Sequence, residues 1–197
     1  MRSDDPSPAA LRRLAKPIAD WHERGLMPPL IIGRAEWESA ADTFPIELTD
    51  MKLAHRVLRG SDPVAGVAVD PADLRRALES DLRGRLVRLR QAYVRYGDSA
   101  AALGGFAAAS ISSVVVLLRC TAVLLGRNPG TSAAQAAAAL GTELGPDASV
   151  VAEIAAHRRE TGWNCAPETF VRYLEVVRRA VELVDHFRGG SSTQGEQ

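Results

Sequence analysis

The sequence predicts an α+β fold that is mostly α. Helix and strand patterns alternate up to about residue 69, and every pattern beyond that point is helical. Capping and breaking residues also recur at helix-length intervals through the second half. These observations divide the chain into an α/β piece over residues 1–69 and a helical bundle over 70–190. A polar tail, 191–197, is expected to be disordered.

Residues 8–24 open the chain as a helix. Ser7 can cap it, Pro8 suits its first turn, and Leu11, Leu14, Ile18 and Trp21 fall at spacings of three and four. Pro28-Pro29 breaks the chain. Leu30-Ile31-Ile32, ended by Gly33, reads as a short buried strand. Residues 34–41 can make two helical turns. Phe44-Pro45-Ile46-Glu47-Leu48-Thr49-Asp50-Met51 reads as a second strand, Ile46 and Leu48 on one face and Glu47 and Thr49 on the other. Residues 55–60 fit either a strand or a helical turn, and 61–66 are loop.

Asp70-Pro71 starts the bundle with a cap and a first-turn proline. Leu74, Leu78, Leu82, Leu86, Leu89 and Val94 form an apolar stripe ending before Gly97. Seven arginines, Arg75 to Arg95, occupy the other faces. Such a row reads as a solvated, ion-paired face or as one facing an anion or substrate. Asp98-Ser99 caps a helix reaching Leu125. Its residues 99–118 carry no charge, which meets the length of a membrane span. Its Ala, Gly and Ser content, and Arg119 on its apolar face, predict a buried bundle helix instead. Further helices are expected over 132–140 and 148–159. A long one after Ala166-Pro167 carries Phe170, Tyr173, Leu174, Val177, Val181 and Val184 on one face.

The chain is 46% hydrophobic with 24 basic and 24 acidic residues, so no net field draws it to nucleic acid or to an anionic membrane. Aromatic residues, at 5%, are too sparse for a base-stacking platform. Cys120 and Cys165 read as reduced, buried thiols, which fits a cytoplasmic protein. His22, His55, His157 and His186 have no metal-ligand spacing.

The segments Pro28 to Ile32, Asp42 to Met51 and His55 to Pro63 resemble the middle of bacterial nucleotidyltransferase-domain proteins of the DNA polymerase beta-like superfamily. Leu82-Arg83-Gly84-Arg85-Leu86 is similar to the first helix of the helical domain that follows in that family. The resemblance implies a partial nucleotidyltransferase α/β piece followed by a helical bundle. It further implies transfer of a nucleoside monophosphate to a hydroxyl of a small-molecule or protein acceptor, with Mg2+ and a nucleoside triphosphate as cofactors. Glu47 would be the third metal-binding carboxylate, with Asp50 the runner-up, and Arg83 would be a nucleotide-binding residue. The family's Gly-Ser turn and Asp-x-Asp strand do not occur, so the chain is expected to be catalytically incomplete and its strand edges to favour a homodimer. The alternative is a non-enzymatic helical interaction module of a toxin–antitoxin-like pair. Arg179 and His186, seven apart on one helix, also resemble the Arg–six residues–His arrangement of HEPN ribonucleases.

Overall fold

The computed structural model describes residues 7–24, 29, 31–33, 36–37 and 40–187, which are mostly helical with no strand among them, so the α/β piece expected over residues 1–69 is not seen there. The chain forms two compact units, Met1–Phe44 and Pro45–Gln197.

In the first unit, α1 (Pro8–Glu23) begins where expected. Ser7 Oγ accepts the Ala10 N–H at 3.3 Å, satisfying one of the donors a helix start leaves open. No residue of α1 is buried. Of the expected strand at 30–32, Ile31 and Ile32 are described and form no ladder, while Leu30 lies outside the described residues. Gly33 N–H instead donates to the Glu36 carboxylate at 2.7 Å, and Trp37 N–H donates to the Gly33 carbonyl at 2.9 Å. A short helix, α2 (Ala40–Thr43), closes the unit.

The second expected strand, 44–51, is a helix: α3 (Pro45–Leu53). Alternation would have put Glu47 and Thr49 on the same face, yet Glu47 is exposed and Thr49 is buried. The buried set Pro45, Ile46, Leu48 and Thr49 follows the helical period. Composition favours this outcome, because Pro45 suits a first turn and Glu47, Leu48, Met51, Lys52 and Leu53 are good helix formers. With this segment helical, no strand remains among the described residues to pair with Ile31 and Ile32.

The rest of the second unit follows the expected helices. It contains α4 (Pro71–Tyr96), α5 (Ala100–Leu124), α6 (Ala133–Leu140), a 3-10 turn (Gly141–Leu144), α7 (Val150–Ala156) and α8 (Pro167–His186). Side chains supply three of the caps. Asp70 accepts the Ala72 N–H at 2.7 Å, Ser99 accepts the Ala102 N–H at 3.3 Å, and Ser132 and Gln135 form a capping box.

Helix α5 is the centre of the bundle and touches α3, α4, α6, α7 and α8. It is the one helix among the described residues long and apolar enough to cross a membrane. In this fold Leu103, Ala107, Ile111, Val114, Leu118 and Ala122 are spent on protein contacts and are fully buried. Helix α8 lies antiparallel to α4: Arg75 reaches the Val184 carbonyl at 3.2 Å, while Tyr93 stacks on Phe170 at 6.0 Å near the other end. Phe170 also meets Phe106 and Tyr173, and the buried Tyr173 hydroxyl is satisfied by Ser110 at 3.1 Å. The apolar stripe of α4 departs from expectation at its end. Ala92 is buried, whereas Val94 is 87% exposed, because the helical period carries position 94 onto the outer face.

The 157–166 loop rests on α5 at Gly104. A Cβ built there would stand 1.9 Å from the Trp163 carbonyl oxygen, and Cys165 N–H donates to the Ala100 carbonyl at 2.9 Å. Gly105, one residue on, faces open space. Gly104→Ala is therefore expected to destabilise the fold by about 1–3 kcal/mol through overpacking. Gly105→Ala is expected to stabilise it by about 0.5–1 kcal/mol through helix propensity. Denaturant unfolding of the two variants checks the opposite signs.

Candidate functional site

Helix α3 lies against α4 and α5, and it carries both candidate carboxylates. Glu47 stands in its first turn and is exposed, where a negative charge also complements the helix dipole. Asp50 lies one turn on and turns inward. Its Oδ1 is 2.9 Å from Nη1 of Arg119, the only charged side chain of α5. The Arg119 side chain is 12% exposed and that of Asp50 28%. Asp50 Oδ1 and Arg119 Nε and Nη2 are buried with no hydrogen-bond partner among the described residues, so the close approach lies off the hydrogen-bond axis. The pair is thus held by charge more than by a forked hydrogen bond. Beside it, Cys120 Sγ donates to the Ile46 carbonyl at 3.5 Å. Burial, with Asp50 adding to it, pushes the Cys120 thiol up to about 12. Such a thiol is inert, so this corner carries no nucleophile.

Magnesium prefers a rigid octahedral shell of oxygen ligands, several of them waters. Here Glu47 is a single open carboxylate, and the charge of Asp50 is already claimed by Arg119. Among the described residues no three His, Cys, Asp or Glu side chains gather into a metal-binding group. These residues do not fit the metal cage that the resemblance implies.

Arg83, the candidate nucleotide ligand, stands on α4. It donates to Asp185 of α8 at 2.7 Å and lies 3.2 Å from Glu79, with its side chain about half exposed. It serves as a helix-to-helix tie. Arg179 and His186, two turns apart on α8, each have a partner of their own. Arg179 donates to Glu175 at 2.9 Å and lies against Gly145, where a Cβ would be 2.9 Å from its guanidinium carbon. His186 Nδ1 donates to the Glu182 carbonyl at 2.6 Å and is exposed.

A groove of about 250 Å³ opens beside α3, lined by Thr49, Lys52, Leu53, Val69, Leu74 and Val123 among others. The Lys52 ammonium donates to the Val67 carbonyl. Further along, His55 bridges the Met51 carbonyl at 2.9 Å and Asp62 at 3.0 Å. Asp62 also accepts the Val64 N–H at 2.9 Å, and that bond, aided by His55, holds its carboxyl below the usual range. This network orders the loop between α3 and α4. No periodic signal in the sequence marks it, since His55 and Asp62 meet through a turn.

Two predictions follow from these charges. Asp50→Ala leaves a buried guanidinium uncompensated and is expected to cost about 2–4 kcal/mol. Replacing both partners by apolar residues, Asp50→Leu with Arg119→Met, should restore stability to within about 1 kcal/mol of the native chain in thermal melts. Glu175 is held down to about 2 from an ordinary 4.5 by its bonds to Arg178 and Arg179. Its lowered value means the stabilisation is complete above about pH 5 and is lost on acidification. The stability gap between the native chain and Glu175→Gln should therefore close between about pH 4.5 and 2. Salt should narrow that gap at neutral pH, because the group is partly exposed. No protein-family model, curated protein or solved structure matches this chain.

Proposed function

We propose that this chain is a nucleotidyltransferase-family protein that transfers no nucleotide by itself and works as a helical binding module. Family membership rests on the sequence resemblance of residues 28–63 and of the start of the bundle alone, since the strands that the resemblance implies are not formed among the described residues. The absence of transfer rests chiefly on one observation: Glu47 is open, but Asp50 is neutralised by Arg119 at 2.9 Å. Nucleotidyl transfer requires the charge that develops on the phosphates to be met by metals and donors already in position. A lone carboxylate on a helix start does not hold two metal ions. The non-enzymatic reading draws on a separate feature, an arginine-rich outer face of α4 described below.

The test incubates the chain with labelled nucleoside triphosphates, Mg2+ and a panel of hydroxyl acceptors. The expected result is no pyrophosphate release, with Glu47→Ala indistinguishable from the native chain in the assay and lower in melting temperature by at most about 4 °C, through the lost helix-dipole contact. Release that disappears in Glu47→Ala would overturn the reading, because it would make Glu47 a working metal ligand.

A further inference from the structure

Most arginines of the bundle have a carboxylate or carbonyl partner. Arg75 binds the Val184 and Asp185 carbonyls, Arg83 binds Asp185, and Arg127 binds Glu143. Arg172 binds Asp147 and Glu153, and Arg178 binds Glu175. The C-terminal half of α4 is different. Between Asp81 and Asp98 there is no carboxylate in the sequence. Arg88 and Arg90 have no ion pair among the described residues, and Arg95 is engaged only with the ring of its neighbour Tyr96, at 5.1 Å.

The placement of these side chains is ordered. Leu74, Leu78, Leu82, Leu86 and Leu89 bury one face of α4. On the opposite face Gly84, Val87, Gln91 and Val94 follow one another at spacings of three, four and three, which makes a second stripe. Val87 is 49% exposed and Val94 87%. One edge of this stripe carries Arg90, with Arg83 seven residues earlier already paired to Glu79 and Asp185, and the other carries Arg88 and Arg95, seven residues apart. Asp81 continues the second edge one heptad earlier. Beyond Asp81 and the paired Arg83, apolar residues on a seam flanked on both sides by the open arginines Arg88, Arg90 and Arg95 are the features of a helix-pairing face.

Gly84 supplies an independent observation. It sits inside a long helix, where glycine costs about 1 kcal/mol relative to alanine. A Cβ there would meet nothing within 4 Å, so no contact within the chain requires its absence. A second helix crossing at this point would use the missing side chain, because it lets two backbones approach closely.

We infer that this outer face of α4 docks an amphipathic helix of another protein, with aliphatic residues on its seam and Glu or Asp on its flanks. Charge decides the partner. A second copy of α4 would oppose arginine to arginine, which disfavours self-pairing. A phosphate backbone would satisfy the arginines but leave Val87 and Val94 facing water. An acidic helix satisfies both. The inference deepens the binding-module reading and is independent of the nucleotidyl-transfer claim.

The experiment uses the full chain and two labelled synthetic helices with the same leucine seam, one flanked by glutamate and the other by lysine. Fluorescence anisotropy should show the glutamate helix binding at least about tenfold tighter, with affinity falling as ionic strength rises. Combining Arg88→Glu, Arg90→Glu and Arg95→Glu should reverse that preference. Gly84→Leu should weaken binding at least about tenfold while the melting temperature stays level or rises, which separates lost docking from lost folding. Equal binding of the two helices overturns the inference, as does indifference to the charge reversals. So does a short DNA duplex that outcompetes the glutamate helix, or sedimentation showing a dimer that Gly84→Leu dissociates. Pyrophosphate release in the transfer assay would sink the non-catalytic reading and leave this surface untouched.

Discussion

The packing of α5 is the constraint on which the bundle depends. A helix of this length with a single charged residue must either enter lipid or be wrapped by other helices, because its apolar surface cannot stay in water. Here it is wrapped. Each fully buried Leu, Ile or Val contributes about 1.5–3 kcal/mol of transfer free energy, and α5 places Leu103, Ile111, Val114 and Leu118 in that state. Its small residues set how closely the neighbours come. Gly104 admits a loop carbonyl that any side chain would exclude, and Ser110 satisfies the one buried phenol.

The lone charge of α5 then shapes the candidate site. Arg119 lies inside the bundle and needs an anion nearby, since an uncompensated buried charge costs several kcal/mol. Asp50 of α3 meets that need. The same contact draws the inner face of α3, Ile46 and Thr49, against the bundle and turns Glu47 outward. Stability and chemistry conflict here: a carboxylate committed to a buried guanidinium is not a free metal ligand.

Arginine has two distinct uses in this chain. Arg75, Arg83, Arg127 and Arg172 tie helix ends and loops together, each with a named acceptor. Arg88, Arg90 and Arg95, beside Val87 and Val94, form no ion pair among the described residues. Both groups look alike in composition, and only the position of the acceptors separates them. A run of seven arginines over residues 75–95 therefore divides at Arg83 into a structural half and an open half.

By itself the sequence determined the helices after residue 70 and most of their buried faces. Caps and prolines are local, and the 3.6-residue period is read directly from Leu74, Leu78, Leu82, Leu86 and Leu89. It determined α1 to within a residue for the same reason. It did not determine the state of 44–51, because eight residues of mixed pattern satisfy a period of two almost as well as a period of 3.6. The tertiary structure decided that case: burying Thr49 on the bundle leaves the backbone hydrogen bonds to be made within the segment, as a helix. It also decided the roles of Asp50, Arg83 and Arg119, since their partners lie on other helices far away in the sequence, where no local pattern reports them.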